Sequence, residues 1–217
     1  MIPLRQAMTH AVDVDPSVAG IVRPVSAALP SVRVVALDSR LDDALAHAAE
    51  RMRRSGDMAE VTAAVRTMYK RVGLDPTKNR PSSEALLRRV RKGDSLPRVN
   101  SLVDVINWCS LESQLPFGLY DAGRIEGPVV LRLGRSDEGY AGIRKDQVHV
   151  SGRLVLADAL GPFGNPTSDS ARTMVTETTS RALVVIFAPA AIDRSTAEAA
   201  LAVTSERVRT FCEREPH

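Results

Sequence analysis

The stretch Gly161-Pro162-Phe163-Gly164-Asn165-Pro166-Thr167-Ser168-Asp169-Ser170, with Arg172-Thr173 behind it, concentrates groups that recognise carbonyls and hydroxyls. Two glycines and two prolines argue against a regular element there. The amides of Gly161 and Gly164, the hydroxyls of Thr167 and Ser168 and the carboxylate of Asp169 can together hold a carbonyl or a sugar hydroxyl. Equally, Asp169 and Arg172, three apart, can form an ion pair that only fixes the loop. A second group is cationic: Arg88, Arg89, Arg91 and Lys92 share one side of a helical segment, and Lys78, Arg80 and Arg98 extend the patch. Such a face is either solvated or set against phosphates, whose contacts give salt-sensitive affinity with little sequence information. A third is Asn107, three residues after Asp104 in an otherwise apolar helix, which ties that helix to a neighbour or points into a pocket.

Other chemistries lack their residues. There is no phosphate-binding glycine loop, dinucleotide fingerprint or nucleophile elbow. The histidines (His10, His47, His149, His217) are scattered, and Cys109 and Cys212 form neither a disulfide framework nor a metal knuckle. No metal and no cofactor is expected. Aromatics make up 4% of the chain, too few for a wide base-stacking platform.

The elements that must position these groups follow from periodicity. Residues 1–17 show none and are expected to form a loose arm. Ile21–Arg23 and Val32–Leu37 read as strands. Helices are predicted from Leu41, through Val61–Val72, from Pro81 to Lys92 and from Ser101 to Ser113, the last with a capping-box pattern at Ser101–Asp104. Beyond Pro116 the period shortens: 129–133, 148–150, 154–156 and 182–187 read as strands, and a helix over Ser195–Phe211 closes the chain. Helices first and mostly antiparallel strands second is an α+β order, with N-terminal helices packed on the sheet.

The 217 residues suit one domain, taken as 18–217. The net charge of +3 hides an asymmetry: Arg66–Arg98 holds ten basic and three acidic residues, so this window carries +7 and the rest −4. That is the footprint of a polyanion-binding surface. No apolar run approaches the roughly 18 residues of a membrane span, and no signal peptide is visible, so a cytoplasmic location is expected.

The segments Asn100–Trp108, Leu115–Asp121, Leu156–Asp158, the Gly161–Ser170 loop and Val175-Thr176-Glu177-Thr178-Thr179 follow one another in an order that resembles the editing domain of the bacterial phenylalanyl-tRNA synthetase beta subunit, the B3/B4 domain. The resemblance covers roughly Val18 to Pro189 and looks like a free-standing version of that domain. It implies a trans-acting deacylase that hydrolyses the ester of mischarged aminoacyl-tRNA. Asn107, Ser168, Asp169 and Arg172 would then surround the reaction, and Gly118, Gly161, Gly164 and Thr167 would contact the substrate. Lys78, Arg80, Arg88, Arg89, Arg91 and Lys92 would hold the tRNA. Gly118 stands where the synthetase motif has a histidine, and Val184–Ile186 where it carries a carboxylate, which implies a substrate other than tyrosyl-tRNA. A non-catalytic RNA-binding module and an amino-acid sensor are the alternatives.

Overall fold

A computed structural model describes residues 12–55 and 58–213. His10, His217 and the first eleven residues of the expected arm lie outside the described residues. The rest of that arm is ordered into the fold: β1 (Val12–Val14) pairs in parallel with β4 (Val129–Leu133), and a four-residue helix, α1 (Pro16–Ala19), follows, capped by the Asp15 side chain. Alternation could not reveal so short a strand.

After the strand β2 (Val22–Leu29), four helices follow as their apolar spacing predicts: α2 (Asp42–Arg54), α3 (Ala59–Arg71), α4 (Ser82–Arg91) and α5 (Ser101–Ser113). The cap of α5 is Asn100, whose Oδ1 accepts the Val103 amide at 3.0 Å. The expected capping residue Ser101 is instead bonded to the extended chain before it, Val35 N–H donating to its Oγ. At the other end Gln114 takes the left-handed conformation (φ 56°) and its side chain returns to the Leu111 carbonyl. The α5 interior is almost wholly buried, as its composition requires.

Two sheets and a hairpin carry the strands. The first sheet runs β2 (Val22–Leu29), β10 (Ala182–Pro189), β3 (Phe117–Asp121), antiparallel throughout. All eight β10 residues are buried, which is why they read as an unbroken apolar run rather than an alternation. The second sheet is ordered β1-β4-β7-β8-β9, with β7 at Leu154–Asp158, β8 at Gly161–Asn165 and β9 at Ser168–Asp169. β5 (Gly139–Gly142) and β6 (Lys145–His149) form the hairpin, and α6 (Arg194–Cys212) packs on α5. Mixed helices and mostly antiparallel strands make this an α+β fold, with two sheets where the sequence suggests one.

Two expectations change. Val32–Leu37 is not a strand: only Val32 makes a bridge, to Glu213. β10 already has a partner on each edge, and the 32–35 backbone is satisfied by Ser180, Cys212 and Ser101 instead. The Gly161–Ser170 stretch is not irregular. It is an edge hairpin, β8–β9, and the two-residue turn Pro166-Thr167 is held by Asn165, whose Oδ1 accepts from Thr167 N, Thr167 Oγ1 and Ser168 N at 2.7–2.9 Å.

Candidate functional site

The hairpin is anchored at its base by a buried carboxylate. The Asp158 side chain is 0% exposed and takes a two-pronged bond from the Arg172 guanidinium, at 2.9 and 3.0 Å. Its oxygens also accept the amides of Glu126 and Leu160. Arg172 further donates to the Arg124 carbonyl and lies 5.6 Å from the Phe163 ring centroid. Arg172 is thus a clamp on Asp158, and the Asp169–Arg172 pair considered from sequence does not form.

The tip of the hairpin gathers every tyrosine of the chain. Tyr69 of α3 donates to the Pro166 carbonyl at 2.8 Å, and Tyr140 of β5 to the Ser168 carbonyl at 2.5 Å. The third, Tyr120 of β3, is fully buried between the two sheets, edge-on to Phe163 with centroids 5.0 Å apart. Its ring lies over two glycines. A Cβ built on Gly118 or on Gly164 would stand 2.7 Å from Tyr120 Cζ and closer still to its hydroxyl. Both glycines are therefore the walls of a slot that Tyr120 fills.

Asp169 faces these phenols. Its Oδ1 and the Tyr120 hydroxyl are both shut from solvent, and neither forms a hydrogen bond of good geometry among the described residues. The two groups nevertheless interact: burial pushes the Asp169 pKa up to about 7, and the nearby Tyr120 hydroxyl opposes that rise. Burial, then the Asp169 charge, push the Tyr69 and Tyr140 hydroxyls above their usual range; Tyr120 shifts the same way. As a residue Asp169 is only half-buried, so the cluster lies near the surface.

The remaining expected residues divide. Thr167 and Ser168 are half-buried at the tip and Gly161 sits at the β7–β8 turn with φ 108°. Asn107 is half-buried on α5, and no hydrogen bond among the described residues ties it to the hairpin. On α4, Leu86, Leu87 and Val90 are buried while Arg88, Arg89, Arg91 and Lys92 are exposed; Lys78 and Arg80 are exposed beside them. The patch is thinner than its formal charge. Glu84 pairs with Arg66 at 2.9 Å and Arg80 at 3.4 Å, and Arg98 is drawn inward to Asp104 and Asp42.

Helix α3 joins the two features. Arg66 reaches Glu84 at the start of α4, and Tyr69, three residues on and so on the same face, reaches the hairpin tip. Tyr69, Tyr120, Tyr140, Asn165 and Asp158 were not among the expected site residues. A glycine two before a tyrosine in one strand, Gly118 and Tyr120, was the local signal available.

No group of three or more His, Cys, Asp or Glu side chains able to hold a metal ion occurs among the described residues, and no described helix is long and apolar enough to cross a membrane. A separate cleft of about 800 Å³ lies between the 32–40 segment and the Thr178–Ser180 turn.

Among known families, the B3/4 domain matches residues 64–214. The Phenylalanine--tRNA ligase beta subunit of Paramagnetospirillum magneticum is 32% identical over 90 residues, 36% of this chain and 11% of that subunit. An uncharacterized protein of Bacillus subtilis, YhzB, is 28% identical over 114 residues, 52% of this chain and 48% of its own length. The first of these matches thus spans about a tenth of the curated relative. Among solved structures, an N-terminal fragment of the phenylalanyl-tRNA synthetase beta subunit from Pyrococcus horikoshii superposes with a TM-score of 0.49 at 15% identity, covering 94% of this chain and 49% of that one.

Proposed function

The chain belongs to the B3/4 domain family, and on that premise we propose that it binds the acceptor end of aminoacylated tRNA and hydrolyses the ester of mischarged species. The observation that carries the reading is the α3 bridge: one helix face connects the cationic cluster around Glu84 to the polar tip at Pro166–Asp169. Phosphates held by Lys78, Arg80, Arg88, Arg89, Arg91 and Lys92 would leave a terminal ribose and its ester within reach of that tip.

The ester is labile, and the vicinal ribose hydroxyl can assist its cleavage, so the protein's task is positioning rather than strong base catalysis. The Thr167 hydroxyl, which donates to Asn165, keeps lone pairs to accept from the water, and Ser168 stands beside it. Asp169, whose pKa of about 7 lies near working pH, accepts a proton from the attacking water and returns it to the ribose oxygen as the ester bond breaks. Arg172 acts by holding the hairpin through Asp158. In this reading the chain works as one domain, β1 included, in the cytoplasm, without cofactor or metal.

A second reading is favoured by Tyr120, which fills the slot beneath the tip: an RNA-binding module that hydrolyses nothing. Release of labelled amino acid from a panel of correctly and wrongly charged tRNAs separates the two. Turnover on particular mischarged species, lost in Asp169→Ala, supports the deacylase. Salt-sensitive binding without release from any species leaves the binding module. Replacing Arg88, Arg89 and Arg91 with Glu is expected to abolish retention of tRNA in either case.

A further inference from the structure

The slot between Gly118 and Gly164 is unusual in being shaped for a phenol and occupied by one that the chain itself supplies. The two glycines come from different sheets, β3 and β8, 46 positions apart in the chain, and each leaves bare backbone against the Tyr120 ring. Phe163 closes one side edge-on. A buried carboxylate, Asp169, stands at the hydroxyl end. This set — two backbone walls, an aromatic edge and an acceptor for a hydroxyl — is what a site selecting an aromatic side chain would contain. Here it is full.

We propose that Tyr120 is the specificity-determining residue of this site: its own phenol takes the space an aromatic substrate side chain would need, which confines the substrate to amino acids with small side chains. This rests on the deacylase reading for its substrate class. The claim that the slot accepts a phenol in place of Tyr120 does not depend on it.

The structure also says why Tyr120 stays in place. With the ring fully buried and held by Phe163 and both glycine walls, displacing it would open a cavity and expose the Asp169 carboxyl to an unfilled space. A substrate ring would have to compensate for that loss before gaining any affinity. Small side chains need only the hairpin tip at Thr167 and Ser168, which is half-exposed already.

The experiment has two arms. In the first, Tyr120→Gly is titrated with p-cresol while thermal unfolding is followed. Tyr120→Ala runs in parallel, because alanine also empties the slot and costs less backbone freedom if the glycine variant does not fold. A concentration-dependent rise in unfolding temperature in the variants and none in the wild type is expected. Toluene should stabilise less than p-cresol, and that preference should vanish when Asp169→Ala removes the acceptor. A folded variant indifferent to p-cresol overturns the proposal, because the space is then not phenol-shaped.

In the second arm, wild type and Tyr120→Ala are offered tRNAs charged with glycine, alanine, serine, phenylalanine or tyrosine. The ratio of kcat/KM for aromatic over small species should rise at least about tenfold in the variant. Wild type that releases aromatic and small residues equally well sinks the proposal without any variant. If nothing is released from any tRNA, the deacylase reading falls. Affinities of the same charged species then replace rates, and equal affinity for aromatic and small ones overturns the Tyr120 assignment too.

Discussion

Two buried carboxylates flank the β8–β9 hairpin, Asp158 of β7 at its base and Asp169 of β9 near its tip, and they are accommodated in opposite ways. Asp158 is saturated: an arginine fork and two backbone amides use its oxygens. Asp169 has no arginine, lysine or histidine paired with it among the described residues, only phenols around it. Burial there favours keeping the proton, and the pKa rises to about 7. The first end sets geometry. The second end holds a group whose charge can change near neutral pH, the property a proton-accepting site requires.

The largest expected effect comes from breaking the saturated end. Arg172→Ala leaves Asp158 buried without its counter-ion and should cost roughly 3–5 kcal/mol in denaturant unfolding. A loss below about 1 kcal/mol would mean that the two ends do not differ as described.

The opposite sign is expected at the other end. Asp169 has its pKa raised in the fold, so the protonated group is the one the fold favours. Its contribution is full below the ordinary carboxylate range and is lost as pH rises towards about 7. Asp169→Asn should therefore stabilise the protein at pH 8 by on the order of 2–4 kcal/mol and flatten the stability profile between about pH 4 and 7. An unchanged profile would show that Asp169 ionises as freely in the fold as in the unfolded chain.

Gly118→Ala tests the packing between the two ends. Its Cβ would crowd the Tyr120 ring and hydroxyl, and the substitution should cost about 1–3 kcal/mol. Adding Tyr120→Phe removes the nearest atom, so a double-mutant cycle should return a coupling of at least about 0.5 kcal/mol. Strict additivity would separate the glycine from the tyrosine.

The smallest effect on stability belongs to the exposed cations. Arg88→Glu, Arg89→Glu and Arg91→Glu together should move unfolding by no more than about 1 kcal/mol, since these side chains lie on the solvent face of α4. Their weight should appear in the salt dependence of RNA binding, whose slope falls by roughly 2–3. A large loss of stability would reveal a structural role for the patch.

Local patterns were enough to locate α2, α3, α4 and α5, the buried strand β10 and the exposed cationic side of α4. Each depends on residues within one or two turns: apolar spacing, caps and an unbroken β-branched run. The hairpin's polar residues were also visible as a concentration of turn formers, although Asn165 turned them into strand and tight turn rather than open loop.

Only the tertiary structure decided who meets whom. Val32–Leu37 has strand composition, but β10 had both edges taken. Arg172 lies three residues from Asp169 and binds Asp158, fourteen away, because β7 and not β9 presents its carboxylate to it. Arg98 left the cationic patch for a buried aspartate on α5. Tyr69 and Tyr140 reach one turn from two elements, the first from 97 residues away, and Tyr120 of a third packs beneath it on Phe163 and Gly164. Composition and periodicity record what each segment can bury, whereas the company of a buried charge depends on contacts between segments, which no single stretch of sequence contains.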